Sequence, residues 1–243
     1  MLDPNNNYRL KLFFVTIFSI AMGLFESGLV IYLQELYYPD GFTFPLKQIP
    51  AHILNFEYLR EISTIVMLIC IGLLAGKNFT ERFAYFLYSF GVWDIFYYTW
   101  LKVLINWPPS LLTWDVLFLI PVVWIGPVLA PLICSLTMIL FALIIIILQR
   151  KGFNVKIKFR EWVLIILGSA LIFISFIWDY TKIIVEGGFI SELTTIRTNP
   201  EFQKIISEYV PDYYNWYLFT FGELLILLGI LLLIFRIVTM TRK

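Results

Sequence analysis

The chain has 243 residues, of which 60% are hydrophobic, 19% aromatic and 14% charged, and its mean hydropathy is +0.84. A soluble domain of this length could not cover so much apolar surface with so few charged side chains, so the composition excludes a soluble globular protein. The formal net charge of +1 carries no information about nucleic acid, but no run of Lys and Arg resembles a basic patch. We therefore predict no nucleic-acid partner and the lipid bilayer as the surroundings.

Six apolar runs approach or exceed the ~20 residues that a helix needs to cross a bilayer. The second is short, but it extends backwards as a helix from Pro50, a favourable first-turn residue. The sequence therefore predicts an all-α, polytopic integral membrane protein that forms one transmembrane helical domain over residues 1–243. The predicted spans are Leu10–Leu33, Ile62–Ala75, Phe83–Ile105, Leu117–Leu148, Trp162–Val185 and Trp216–Phe235.

Basic residues occupy alternate connections between the runs, and the other connections are acidic or nearly uncharged. The segment from Arg150 to Arg160 is the most basic of them. Positive connections stay in the cytoplasm, so this alternation predicts six crossings with both termini cytoplasmic. The basic residues on that side are Arg9, Lys11, Lys77, Arg82, Arg150, Lys151, Lys156, Lys158, Arg160, Arg236, Arg242 and Lys243.

The fourth run is nearly twice the length of one span and contains Pro121, Pro127 and Pro131. Proline removes an amide donor and clashes with the preceding helical turn, so a straight helix through these positions is disfavoured. We predict a half-helix over Ser110–Ile120 that dips into the outer side, followed by a proline-interrupted fourth span. Further along, Asn199 caps a predicted outer surface helix whose apolar residues have helical spacing.

Ionisable residues inside the spans all fall in their outer halves. Glu26, Asp94 and Glu223 lie deepest, and Asp94, Tyr98 and Lys102 share one helix face at i, i+4 and i+8. Because each buried charge is costly in a membrane, we predict that these groups line one polar cavity open to the outer side. The predicted cavity residues are Glu26, Asp94, Glu223, Asp179, Asp115, Glu61, Tyr98 and Lys102.

A structural alternative is that the residues nearer the mouth form ion pairs that fix helix register. This alternative is weaker for the three deep acids, because the sequence places no Lys or Arg at comparable depth. Without a basic partner, each must be protonated, hydrogen-bonded or bound to a cation.

Histidine, cysteine and motif patterns restrict the cofactors. His52 is the single histidine, and Cys70 and Cys134 lie far apart in apolar runs, so haem, di-iron and zinc sites are disfavoured. No phosphate-binding glycine motif is present, which disfavours a nucleotide. If a metal binds, Glu26, Asp94 and Glu223 are the predicted ligands, and an all-oxygen set favours a hard divalent cation.

Three segments carry a family resemblance: WDIFYY at residues 93–98, WPPSLLTWD at residues 107–115 and YYPDGF at residues 37–42. They resemble a family of multi-pass prokaryotic membrane proteins to which no activity is attached. The resemblance implies location in the prokaryotic plasma (inner) membrane and adds no catalytic residue.

Three functional classes remain open from the sequence. The first is a membrane protein that binds or transports a cation, proton or small solute through the deep acids. The second is a membrane-embedded enzyme that acts on a lipid or quinone-like substrate, with Tyr97 or Tyr98 and the acids in acid–base roles. The third is an accessory subunit of a membrane complex, and a homo-oligomer is equally compatible. No complete catalytic constellation is visible, so we rank the first class highest.

Overall fold

The computed structural model describes residues 4–39, 41–47, 49–192 and 199–240. This part of the chain is mostly helical, with one two-stranded sheet between the third and fourth helices. A short 3₁₀ helix covers Phe189–Glu192. The main elements in chain order are α1 (Pro4–Tyr37), α2 (Ala51–Ala75), α3 (Phe79–Ile105), β1 (Trp114–Phe118), β2 (Trp124–Pro127), α4 (Leu129–Arg150), α5 (Phe159–Glu186), α6 (Pro200–Glu208) and α7 (Trp216–Met240).

Five of the described helices, namely α1, α2, α4, α5 and α7, are long and apolar enough to cross a membrane. Large apolar side chains such as Phe25, Leu74 and Phe235 are more than half exposed on their outer surfaces, as expected for a multi-pass protein surrounded by lipid. α3 has 27 residues, enough for a crossing, but it is more polar and carries Glu81, Asp94 and other charges. The count of six crossings therefore remains a prediction.

Small residues allow the helices to pack closely. α3 packs against α1, α2 and α4, and α5 packs along α7. A methyl group added to Gly168 would lie 2.5 Å from the carbonyl oxygen of Gly222, and one added to Gly222 would lie 2.7 Å from that of Gly168. Association of helices in lipid depends on such close packing, because lipid chains are as apolar as the side chains they replace.

One end of the bundle gathers the basic residues and is called the basic end here. Arg150 pairs with Glu81 at 3.3 Å, and Arg236 pairs with Glu161 at 2.6 Å. Lys11 donates to the carbonyl of Ala75 at 2.7 Å. The basic connections predicted from the sequence thus meet at one end, although Arg242 and Lys243 lie outside the described residues. The orientation of this end towards the cytoplasm remains a prediction.

The predicted half-helix over Ser110–Ile120 is wrong, and so is the all-α class in this segment. β1 and β2 form an antiparallel hairpin in which Asp115 faces Gly126 and a bulge follows Val116. Aromatic and β-branched residues flank Pro121, a composition that favours strands around a turn over a helix. The fourth span begins at Leu129 instead of Leu117, so the predicted interruption of the chain between Pro121 and Pro131 is confirmed.

The predicted surface helix near residue 200 is confirmed as α6. The side chain of Asn199 accepts hydrogen bonds from the amides of Glu201 and Phe202, which caps the helix. Phe202 is 3% exposed and packs edge-to-face on the rings of Tyr180 and Phe189. The apolar face of α6 therefore covers the end of α5.

Candidate functional site in the cavity opposite the basic end

A cavity of about 270 Å³ lies at the end of the bundle opposite the basic end. The C-terminal halves of α1 and α3, the N-terminal half of α2 and the hairpin form most of its wall, and α5 and α6 complete it. Lys47, from the connection after α1, also lines it and holds its ammonium 5.3 Å from the ring centre of Tyr38. The other charged side chains of the wall are Glu26, Glu57, Arg60, Glu61, Asp94 and Asp115.

Arg60 is paired with two carboxylates. It forms an ion pair with Glu26 across the α1–α2 interface and another with Glu57 at 2.8 Å on its own helix. Thr64 also donates to Glu26 at 3.1 Å. The prediction that Glu26 has no base at its depth is therefore wrong.

The extents of α1 and α2 explain this pairing. Glu26 lies 11 residues before the end of α1 at Tyr37, and Arg60 lies 9 residues after the start of α2 at Ala51. The two positions are thus ~16 Å and ~14 Å from the facing helix ends at 1.5 Å per residue. Because the helices are antiparallel, Glu26 and Arg60 lie at nearly the same level, and the long arginine side chain spans the small distance that is left.

Two carboxylates attach the hairpin to the helices. Asp115 accepts hydrogen bonds from the Tyr98 hydroxyl at 2.9 Å and from the Val116 amide at 2.8 Å. Glu61 accepts the Leu119 amide with both oxygens, at 2.9 and 3.2 Å. The acids on the cavity wall therefore also fix the hairpin to α3 and α2.

Asp115 lies in the hairpin and is 7% exposed. Burial raises the pKa of its carboxyl from 3.8 to about 7, and the negative charge of Asp94 acts in the same direction. The hydrogen bonds from Tyr98 and Val116 favour the ionised form and oppose this rise. Asp115 therefore gains and loses a proton near neutral pH.

The predicted site residues divide between the cavity and other places. Glu26, Glu61, Asp94, Tyr98 and Asp115 line the cavity. Within it, Asp94 also accepts a hydrogen bond from Ser135 of α4 at 2.7 Å. Glu57 also lines the wall but was not among the predicted cavity residues, although its i, i+4 spacing from Glu61 places both acids on one face of α2.

Glu223, Asp179 and Lys102 do not line this cavity. Glu223 accepts a hydrogen bond from Thr137 between α7 and α4. Asp179 is hydrogen-bonded to Tyr209 beyond the end of α6, and Lys102 donates to the carbonyl of Pro108 at 3.0 Å. The expectation that all these groups meet in one cavity is wrong for these three residues.

The described residues contain no group of three or more histidine, cysteine or acidic side chains placed to hold a metal ion. In particular, the predicted trio of Glu26, Asp94 and Glu223 does not come together, because Glu26 pairs with Arg60 and Glu223 lies on the far side of α4. The carboxylates of the cavity are instead paired individually with hydroxyl, amide and guanidinium donors.

Comparisons with known proteins do not identify a function for this cavity. No protein-family model matches the chain, and neither the curated proteins nor the solved structures give a match. The resemblance of residues 37–42, 93–98 and 107–115 to a family of prokaryotic membrane proteins therefore stays a prediction, as do a homo-oligomer or a partner subunit.

Proposed function

We propose that the protein binds a small positively charged solute in the cavity opposite the basic end and moves it across the membrane in exchange for protons. The observation that carries this proposal is the imbalance of charge on the cavity wall. Arg60 is already neutralised by Glu26 and Glu57, whereas Glu61, Asp94 and Asp115 have no basic partner among the described ion pairs. Buried acids in this state hold either protons or a cation.

The rest of the wall suits a cation with an apolar body. Trp93, Tyr97 and Tyr98 line the cavity beside the acids, and the faces of such rings attract ammonium groups. Leucine, valine and phenylalanine side chains from α1, α2 and the hairpin supply an apolar portion. Small-molecule sites typically combine an apolar wall with a few polar groups, which favours an organic ammonium compound over a bare metal ion.

Binding of the cation should compete with protons. Asp115 exchanges its proton near neutral pH, so an arriving ammonium group would meet a protonated acid at low pH and a carboxylate at higher pH. Affinity should therefore rise as the pH rises through about 7. A membrane-embedded enzyme for a neutral lipid, or an accessory subunit, predicts no such competition.

Thermal unfolding of the purified protein in lipid nanodiscs tests the proposal. A ligand that binds only the folded state raises the midpoint by mass action, and 100 times its dissociation constant stabilises by ~2.7 kcal/mol. Butylammonium, Na⁺ and Mg²⁺ chlorides should be compared at constant ionic strength. We expect stabilisation by butylammonium that is larger at pH 8 than at pH 5.

Matched variants give the control. Asp94→Asn should abolish the butylammonium shift, whereas Glu35→Gln, which changes an exposed acid on α1, should retain it. Uptake of butylammonium into proteoliposomes, with release of protons reported by an internal dye, then tests the exchange. Equal shifts in the two variants, or no shift with any of the three salts, would contradict the proposal.

A further inference from the structure

Glu223 is a second buried acid, outside the cavity. It is 6% exposed, and its Oε2 atom accepts a hydrogen bond from Thr137 at 2.9 Å. Its other polar neighbour is the thiol of Cys134, a weak hydrogen-bond donor, and the described ion pairs do not include Glu223. A carboxylate whose partners are one hydroxyl and one thiol, with no basic group, is costly to keep ionised inside an apolar bundle, so Glu223 holds a proton.

Polar side chains on α4 connect this acid with the cavity. Ser135 donates to Asp94 at 2.7 Å, and Thr137 donates to Glu223. At ~100° per residue, Cys134 lies between these two residues around the circumference of α4. Its thiol is close enough to Asp94 and Glu223 for both charges to act on it. A hydroxyl, a thiol and a second hydroxyl thus form a polar arc around α4 from one acid to the other.

We propose that Asp94 and Glu223 share protons across α4 through this polar arc, defined by Ser135, Cys134 and Thr137. In the exchange, an ionised Asp94 receives one proton and a protonated Glu223 loses one, so the total charge is unchanged. Each bridging hydroxyl or thiol releases its own proton as it accepts another. The inference deepens the proposed function, on which it rests for its physiological role: a cation bound at Asp94 keeps that carboxylate ionised and so holds the shared proton on Glu223.

The remaining groups around Glu223 do not compete for this role. Tyr214 and Ser175 are the nearby polar groups from the α5 and α7 side, and their hydroxyls are hydrogen-bonded to each other at 2.9 Å. Burial raises the pKa of Tyr214 above its ordinary value, so its phenol stays neutral at physiological pH. Among the described residues, the thiol of Cys134 is therefore the polar group that meets both Glu223 and Asp94.

Infrared spectroscopy of the protein in lipid tests the protonation state. A protonated carboxylic acid has a carbonyl stretch well separated from that of a carboxylate, and ¹³C labelling of glutamate side chains distinguishes Glu from Asp without any substitution. Glu61 also has no basic partner among the described ion pairs, so the measurement is made in a Glu61→Gln background. There we expect a protonated glutamate band at neutral pH that is lost when Glu223→Gln is added. Absence of a glutamate band, or its persistence in this variant, would overturn the inference.

Exchange of that proton for deuterium tests the route. In D₂O the Glu223 band should shift in the same background, and Ser135→Ala or Cys134→Ala should slow the shift about tenfold, the factor that corresponds to one lost hydrogen bond. Cys134→Ser, which restores a hydroxyl, should recover the rate. The controls are Ser63→Ala and Cys70→Ala, because both residues are exposed on α2. Equal rates in the arc variants and the controls would overturn the route.

The two proposals fail in distinguishable ways. If butylammonium does not bind but the Glu223 band exchanges through the arc, the proton pair stands and the proposed cation is wrong. If butylammonium binds and the band is absent, the cavity function stands and the shared proton is wrong.

Discussion

Replacement of Gly222 by alanine should destabilise the protein, although alanine is the better helix former. Alanine gains about 1 kcal/mol over glycine in a helix interior. At Gly222, however, the new methyl group would lie 2.7 Å from the carbonyl oxygen of Gly168 and 2.8 Å from a side-chain carbon of Ile172. Relief of the clash with the backbone oxygen requires α5 and α7 to separate, and such overpacking costs about 1–3 kcal/mol.

Gly28→Ala is the matched control, because nothing lies within 4 Å of the added methyl group on α1. This variant keeps the propensity gain, so it should exceed Gly222→Ala in stability by about 2 kcal/mol. The assay is unfolding of the purified protein in mixed micelles of increasing SDS fraction, followed by circular dichroism. A Gly222→Ala variant as stable as Gly28→Ala would refute the close α5–α7 contact.

Because the pKa of Asp115 rises from 3.8 to about 7 in the fold, stability should fall as the pH rises through this window. The free energy of unfolding should fall by at most about 4 kcal/mol over this range. Asp115→Asn should flatten the pH profile of the unfolding midpoint, and an unchanged profile would contradict the burial of this acid. Arg60→Met should cost about 3 kcal/mol, because it leaves two buried glutamates unpaired, and a loss within error of zero in the SDS assay would contradict this pairing. In a background without native cysteines, cysteines introduced at Asn154 and Ser110 should be labelled from opposite sides of the membrane, and labelling of both from one side would exclude the predicted topology.

The helices of the bundle were predictable because each is a long apolar run. The last predicted span, Trp216–Phe235, begins at the same residue as α7 and falls five residues short of its end at Met240. Hydropathy identifies such runs well, since a helix in lipid must satisfy its backbone groups internally. The ends were less accurate where polar residues continue a helix beyond its apolar part, as in α1 after Leu33.

The hairpin was missed because its strands are short. Periodicity does not separate a short apolar strand from a helical segment, so length and composition must decide. Val116, Phe118 and the Val122–Trp124 segment carried the β-branched and aromatic signal. The half-helix was predicted instead because the fourth run is nearly twice the length of one span, whereas the alternation of charge allows only one crossing there. The hydrogen bond from the Leu119 amide to the Glu61 carboxylate could not be predicted from the sequence, because it depends on where the backbone turns.

The depth of each acid within its helix was predictable from the sequence, whereas the direction in which its side chain faces was not. Glu223 lies 7 residues inside α7, as the sequence indicates, but it faces α4 instead of the cavity. α7 is apolar on nearly all sides, so its sequence does not show which face turns inwards. Asp94 was expected on an inward face because its charge is costly against lipid, and it lines the cavity.

The hairpin connects α5 with α2 and α3. β2 rests against α5, where Trp124 stacks on Phe176 with ring centres 5.9 Å apart. The opposite strand is attached to α2 and α3 through Glu61 and Asp115. Hydrogen bonds between the two strands make the hairpin stiff. A shift of α5 relative to α2 would therefore either rotate the whole hairpin or break its hydrogen bond to Glu61. A shift of α5 should consequently change the width of the cavity, although α5 contributes little to its wall.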